Sequence, residues 1–442
     1  MSEVILFALL CLSFLLLWLT RWTGYRTLLR LGWEQRAFFD EHRKHFAAAV
    51  PEDAEAFLPV REGSDVETSG SSPQLSLTDV PDVSVVVVSE GDGALLEANL
   101  PYILHQMHCL VEVVVVDVST ADTHTAVSTS DALKRLRQTF PQLRQTYVPA
   151  TSRNVDRMQA GYTLGIRAAR APWVALTEPD CVPESYEWLS QMLALTEGDD
   201  VDVVMGYANF DLSEGVDGVR RAAFGRLKRF ICYARAALNG RAVGVDGCNV
   251  LLRREWFVGQ GCFSPTLHSA SDAVSLAIDA HISPGRMALA LCPESVVRQR
   301  CRDDVQSFAA DRLAGYRADR LRSFRGRRLL SWRDGAGDVA LYVFLLSFVC
   351  YLACRVVRYL PQVPEGSWLA TFLPYEPCYR LFWLCMDVPT LLLLAIACVV
   401  PFVVFRRITR MLDIPSFGIY PLWWHLCRPW RLMALRWRGR KR

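Results

Sequence analysis

The apolar positions fall into two rhythms. Three runs are apolar almost throughout: residues 4–19, broken by Ser13; residues 339–357, broken by Arg355; and residues 381–405, broken by Asp387 and Pro389. Runs of this length approach or reach the roughly 20 residues a helix needs to cross a bilayer. They predict one N-terminal and two C-terminal transmembrane helices. Asp387 makes the third the weakest of the set, because an acid inside a span needs a partner.

Between these runs the rhythm shortens. Residues 83–88 and 111–116 are Val-rich and predict buried strands, and residues 144–148, 173–176 and 201–205 predict three more. Residues 94–106, 131–140 and 154–170 carry apolar side chains at helical spacing. Strand and helix alternate, so the expected fold is α/β, a mostly parallel sheet with helices on both faces. Ligands of such sheets bind at the carboxyl ends of the strands. The domain plan is then an N-terminal anchor at 1–22, a juxtamembrane helical stretch and linker at 23–80, and an α/β domain at 81–330. Two transmembrane helices follow at 338–406, with a basic aromatic interfacial tail at 407–442.

Charge refines this plan. Of 442 residues, 51% are hydrophobic and 21% charged, and the net charge of +3 gives no ground for a nucleic-acid partner, so none is expected. Position matters more than total. Glu3 precedes the first run, while Arg21, Arg26 and Arg30 follow it with no small-residue cleavage site, the pattern of an uncleaved anchor with its following segment inside. Arg406, Arg407 and Arg410 follow the last run, and the loop at 361–380 holds Glu365, Glu376 and a single Arg. Three spans then leave the α/β domain cytoplasmic and the 361–380 loop outside. In the tail, Trp423, Trp424, Trp430 and Trp437 mix with Arg428, Arg431 and Arg436, which suits membrane lipid headgroups as partners. Five of the 14 cysteines (Cys11, Cys350, Cys354, Cys385 and Cys398) lie in apolar runs, and the rest form no CxxC pair and no zinc spacing with His. They read as reduced thiols, with no structural zinc expected.

Acids stand just past two of the strands. Asp117 ends VEVVVVD, and Glu178 and Asp180 follow WVALT as Glu-Pro-Asp. Residues two apart in an extended segment point to one side, and Pro179 biases Glu178 towards extended geometry. Their hard oxygens suit Mg²⁺ or Mn²⁺ bridged to a diphosphate. The other role open to either acid is to cap a helix near Tyr186. After the first strand comes Ser89-Glu90-Gly91-Asp92-Gly93, with Leu96 where the last Gly of GxGxxG belongs, so a dinucleotide-binding Rossmann domain is disfavoured.

In their order and spacing, PDVSVVVVSE, Gln106, VEVVVVDVSTAD and TLGIRAARAPWVALTEPDCVP resemble the family 2 glycosyltransferases of the GT-A fold, above all bacterial members flanked by membrane helices. The resemblance runs over residues 81–302, about half the chain. GVDGCNVLLRREWF resembles the family's Gly-rich stretch ahead of the acceptor site. LHSASDAVSL stands where the family has an acidic cluster containing its catalytic base. The resemblance implies an inverting transferase in the bacterial inner membrane. It would move a sugar from a nucleoside diphosphate sugar to a lipid-linked or cell-envelope glycan, as in polysaccharide biosynthesis.

Residue by residue, the resemblance implies that Asp117 contacts the nucleotide base and that Glu90, Arg157 and Asn249 join substrate binding. Glu178 and Asp180 match the family's DxD, with Asp180 the better metal ligand and Glu178 also near the substrate. Asp272 matches the base that takes the acceptor's proton. The chain departs from the pattern in several places. DxD is ExD, Val118 replaces a second Asp, Ser271 and Ala273 flank Asp272 where the family has acids, and VQSFAADRL lacks QxxRW. That last motif marks processive synthases, so transfer of a single sugar is expected. The losses also keep open a catalytically weak or inactive relative acting as an assembly partner, and the late spans keep open a processive synthase.

Overall fold

The computed structural model describes residues 2–22, 24–47, 80–120, 128–149, 156–197, 200–212, 217–240, 244–261, 282–283, 285–300, 325–359, 378–418 and 420–421. The chain begins with α1 (Ser2–Leu17), a π-helical turn at Trp18–Trp22, and α2 (Tyr25–Ala47). The α/β run follows as β1 (Val83–Ser89), α3 (Gly93–Leu104), β2 (Val111–Asp117), α4 (Thr129–Thr139), β3 (Leu143–Tyr147), α5 (Arg157–Ala168) and β4 (Trp173–Thr177). Shorter elements come next: β5 (Cys181–Pro183), α6 (Trp188–Ala194), β6 (Val203–Met205), β7 (Ala208–Phe210), α7 (Asp217–Leu238), β8 (Val250–Arg253), α8 (Arg254–Gly259), β9 (Met287–Leu289) and β10 (Val297–Gln299). Two long helices, α9 (Arg325–Tyr359) and α10 (Cys378–Met411), come last. Two compact units result, one of Met1–Arg26, Arg328–Ile408 and Ser416–Arg442, the other of Thr27–Arg327 and Thr409–Pro415.

The larger unit is built on a mostly parallel seven-stranded sheet in the order β3-β2-β1-β4-β8-β6-β9. β1 pairs in parallel with β2 and β4, and β2 with β3; β8 runs antiparallel between β4 and β6, and β6 pairs in parallel with β9. All seven residues of β1 are buried, because helices cover both faces of the sheet centre. Val83, Val85 and Val87 share a core with Leu96, Leu100 and Ile103 of α3. Val86 and Val88 meet α5, which comes close only because Gly161 and Gly165 lack side chains. A Cβ at Gly165 would lie 2.4 Å from Val86 Cγ1, and one at Gly161 2.7 Å from Val88 Cγ1. The start of α5 is fixed by Asp156, whose carboxylate accepts from Met158 N at 3.1 Å and Gln159 N at 3.2 Å.

The first four strands lie where the Val-rich pattern puts them. The rest of the sheet differs from expectation. The run at 201–205 contributes three residues as β6, β8 is antiparallel, and a second sheet of order β5-β10-β7 stands apart from the first. Three-residue strands complete barely one alternation, so no period announces them.

One charge lies deep in this unit. Glu112, fully buried on β2, accepts from Ser84 Oγ at 2.6 Å, Arg144 Nη1 at 2.8 Å, Arg170 Nε at 2.8 Å and Arg170 N at 3.0 Å. Burial pushes its carboxyl up, but these hydrogen bonds outweigh burial and hold it below the usual carboxylate range.

From Thr27 onward, α2 falls in the same compact unit as the α/β run. Its Gln35 side chain lies along β9, the last strand of the sheet among the described residues. Gln35 Nε2 donates to Leu289 O at 2.7 Å, and Leu291 N donates to Gln35 Oε1 at 3.0 Å.

In the smaller unit α1, α9 and α10 pack together. Leu10, Phe344 and Ala397 form one cluster, and Leu17 packs with Ala340 and Leu341. The helices turn apolar side chains outward as well: Leu12 is 63% exposed and Leu346 65%. Among the described residues, three helices are long and apolar enough to cross a membrane. Asp387, the acid that weakens the third apolar run, accepts from Tyr351 Oη at 2.7 Å, so it is paired inside the bundle. α9 starts at Arg325, fourteen residues before its apolar run. The 361–377 part of the expected outer loop and the tail from 422 lie outside the described residues.

Candidate active site

The parallel strands end together. Ser89, the last residue of β1, pairs with Asp117, the last of β2, and Glu178 follows directly on β4, the other neighbour of β1. The chain builds β2 and β3 on one side of β1 and then crosses to β4 on the other. The crevice between β1 and β4 is therefore a topological switch point, where open α/β sheets bind ligands.

Glu178 and Asp180 converge there through a turn. Residues 179–180 form a turn rather than the extended segment the Pro179 argument supposed. The three successive carbonyls each take a donor: Cys181 N on Glu178 O at 3.0 Å, Asn99 Nδ2 of α3 on Pro179 O at 2.8 Å, and Arg300 N on Asp180 O at 2.8 Å. Both carboxylates then meet one side chain. Gln299 Nε2 of β10 donates to Glu178 Oε2 at 2.8 Å and to Asp180 Oδ1 and Oδ2 at 3.0 and 2.9 Å. Asp180 is buried and Glu178 half-buried. Neither caps α6, whose N-terminal flanking residue is Glu187.

Three carboxylate oxygens aimed at one donor nitrogen form the hard-oxygen donor set that Mg²⁺ or Mn²⁺ prefers, so Glu178 and Asp180 fit a divalent cation. Beneath them lie two buried thiols, Cys181 and Cys248. Burial, then a hydrogen bond with Cys248, pushes the Cys181 thiol well above its ordinary value. Cys248 is backed by Arg226, whose Nη2 lies 3.3 Å from Cys248 Sγ. Arg226 Nε lies 2.8 Å from Asp246 Oδ2, and its guanidinium stacks 4.3 Å from the Phe210 ring centre.

The other expected residues divide. Asp117 is half-buried at the strand end, its Oδ1 accepting from Ser119 N at 2.9 Å and Ser119 Oγ at 2.5 Å. Glu90 is exposed just past β1, in the turn that Gly91 enters at φ 77°. Arg157 spends its guanidinium on backbone. It donates to Val118 O at 2.8 Å, Val148 O at 2.9 Å, Pro149 O at 3.0 Å and Ser119 O at 3.1 Å, which ties the loops after β2 and β3 together. Asn249 is fully buried, with Nδ2 donating to Tyr207 O and Ser295 O at 2.8 Å each and Oδ1 accepting from Trp188 Nε1 at 3.0 Å. These contacts tie Arg157 and Asn249 to the backbone around the site. Asp272 lies outside the described residues.

Sequence reading missed Gln299, Cys181, Cys248 and Asn99. For Gln299 a signal existed. In VRQ the buried positions alternate, Val297 and Gln299 inward and Arg298 between them, and a polar residue on the inward period needs a partner.

Residues 84–259 match the model of the family described as Glycosyl transferase family 2. That match lies within the α/β domain and takes in the strand-end acids Asp117, Glu178 and Asp180. Among solved structures, the chain is similar to the mannosyltransferase PcManGT from Pyrobaculum calidifontis in complex with GDP-Man and Mn²⁺. Identity there is 17%, with 85% of this chain and 97% of that chain covered and a TM-score of 0.44. It is also similar to S. aureus TarS residues 1–349, at 15% identity, covering 64% of this chain and 76% of that chain, with a TM-score of 0.37. No curated protein matches the chain.

Proposed function

We propose that the protein is an inverting glycosyltransferase that moves a single sugar from a nucleoside diphosphate sugar to a lipid-linked or cell-envelope glycan. The observation that carries this reading is the trio Asp117, Glu178 and Asp180 at the carboxyl ends of β2 and β4, flanking the end of β1. Asp117 would accept hydrogen bonds from the nucleotide base, and Glu90 would border the donor. Glu178 and Asp180 would hold Mg²⁺ or Mn²⁺, which when bound offsets the charge on the departing diphosphate. Arg157 and Asn249 would keep the surrounding loops in place. Asp272 would take the proton of the acceptor hydroxyl as that oxygen attacks the anomeric carbon opposite the diphosphate, which inverts the centre.

The domain would occupy residues 81–330 on the cytoplasmic side of a bacterial inner membrane, held by the anchor at 1–22 and the helices at 338–406. The outward apolar faces of α1, α9 and α10 support the membrane part of this reading.

The test is release of nucleoside diphosphate by purified full-length protein across a panel of donors with Mn²⁺, with the anomeric configuration of the product read by NMR. Folded protein that binds no nucleotide in the presence of Mn²⁺ would sink the proposal. A second reading, an inactive assembly partner, is favoured by Gln299, which satisfies both acids without a cation. Mn²⁺-dependent turnover that Asp180→Asn abolishes would decide against it.

A further inference from the structure

The switch-point crevice has a floor of sulfur. Cys181 follows Asp180 and opens β5, and Cys248 lies just ahead of β8; both are fully buried. Their Sγ atoms and a carboxylate oxygen of Glu178 all lie within 4.8 Å of one another. Cys181 Sγ is 3.7 Å from Asp180 Oδ1, and Cys248 Sγ is 3.9 Å from Gln299 Oε1. The thiols are 67 positions apart in the chain, so no spacing motif joins them; β5 and the β8 approach bring them together.

Two thiolates and a carboxylate form a different donor set from the oxygens above them. Oxygen ligands select Mg²⁺ or Mn²⁺, whereas sulfur selects zinc and softer ions. A tetrahedral zinc with Zn–S bonds of about 2.3 Å holds its sulfurs about 3.8 Å apart, inside the span of this cluster. Both thiols would release their protons to solvent as the ion binds. Arg226 Nη2 lies 3.3 Å from Cys248 Sγ, and its guanidinium is ion-paired with Asp246 at 2.8 Å.

We propose that Cys181, Cys248 and Glu178 form a thiophilic cation site, for Zn²⁺ or Cd²⁺, that shares Glu178 with the hard-cation pair Glu178–Asp180. A carboxylate can bridge two ions, but two dications a few ångströms apart repel strongly. A zinc-type ion and Mn²⁺ therefore compete for Glu178, and zinc acts as an inhibitor at the acids themselves. The thiol site stands whether or not the chain transfers sugar; only the competition with Mn²⁺ rests on the preceding assignment of Glu178 and Asp180.

The probe is Cd²⁺, because its bonds to thiolate give an ultraviolet charge-transfer band. Reduced full-length protein in detergent is titrated without air, beside Cys181→Ser, Cys248→Ser and Glu178→Gln. The parent should take up one tight equivalent that either serine variant lacks and that Zn²⁺ displaces. Glu178→Gln, which leaves the buried thiols in place, should weaken that equivalent at least tenfold. A tight equivalent that persists in both serine variants, or that Glu178→Gln leaves unchanged, overturns the site. Excess Mn²⁺ should raise the apparent Kd for Cd²⁺. A cysteine-dependent equivalent indifferent to Mn²⁺ would overturn the sharing of Glu178, and it would do so without any measurement of turnover.

Discussion

Gln299 clasps Asp180 by both oxygens, its Nε2 lying 3.0 and 2.9 Å from Oδ1 and Oδ2. Ionised carboxylates only accept, so the amide must present its N–H groups to them. Gln299→Leu keeps most of the volume and removes the donors, leaving a buried acid short of partners. The expected cost is about 2 kcal/mol of stability, read as a lower melting temperature. Mn²⁺ should restore more of that temperature in the variant than it adds to the parent; an equal gain in both would show that the cation does not bind where Gln299 donates.

Asp180 and Glu178 should respond unequally to substitution. Asp180 is buried with both oxygens engaged, whereas Glu178 is half-buried on a longer side chain. Asp180→Asn is expected to lose roughly a hundredfold or more in turnover, a few kcal/mol of transition-state stabilisation. Glu178→Asp should keep activity or raise it. Steady-state rates at saturating Mn²⁺, with nucleotide binding measured separately, check this; parental turnover in Asp180→Asn would remove the metal assignment.

Glu112 should tie stability to pH. Its carboxyl is held below the usual range. The stability it contributes is therefore present above the unfolded value and is lost as pH falls through the folded one. Glu112→Gln should cost about 3 kcal/mol at neutral pH, because a buried partner of two arginines disappears. The melting curves of parent and variant should converge as the buffer is acidified. A constant gap down to strong acid would contradict the ion cluster.

The close approach of α5 to the sheet predicts a steric penalty. Gly165→Ala should destabilise by about 1–3 kcal/mol, since its Cβ must displace Val86. Adding Val86→Ala opens the space, so the double variant should lose less than the sum of the singles in urea unfolding.

What could be read ahead of the structure follows from where the information lies. Asp117, Glu178 and Asp180 were legible because each ends or follows a buried run, and in a parallel sheet a strand end is already a position in space. Gln299 was not, because its contact depends on β10 pairing with β5, with Gln299 opposite Cys181 more than a hundred residues away in sequence. For Arg157 and Asn249 the structure adds which carbonyls take their hydrogens, something a pattern of polar positions does not record. The Glu178–Asp180 pair shows a further limit. The two acids do face one point, yet the turn through Pro179 brings them there, with Asn99 pinning its carbonyl.

Topology is tested with two reporters, one in the 361–380 loop and one after Arg442. They should report opposite sides of the membrane. The same side for both would mean that α9 or α10 does not span.

The amide of Gln35 has a consequence for solubility. An outermost strand offers unpaired N–H and C=O groups on which another chain can add itself. By accepting from Leu291 N and donating to Leu289 O, Gln35 imitates the peptide unit of a neighbouring strand and occupies the rim of β9, the outermost strand among the described residues. A single side chain on the helix that follows the first apolar run thus covers backbone groups on which another strand could pair. Shortening it to alanine would leave that rim open, a defect that would show first as self-association rather than as loss of catalysis.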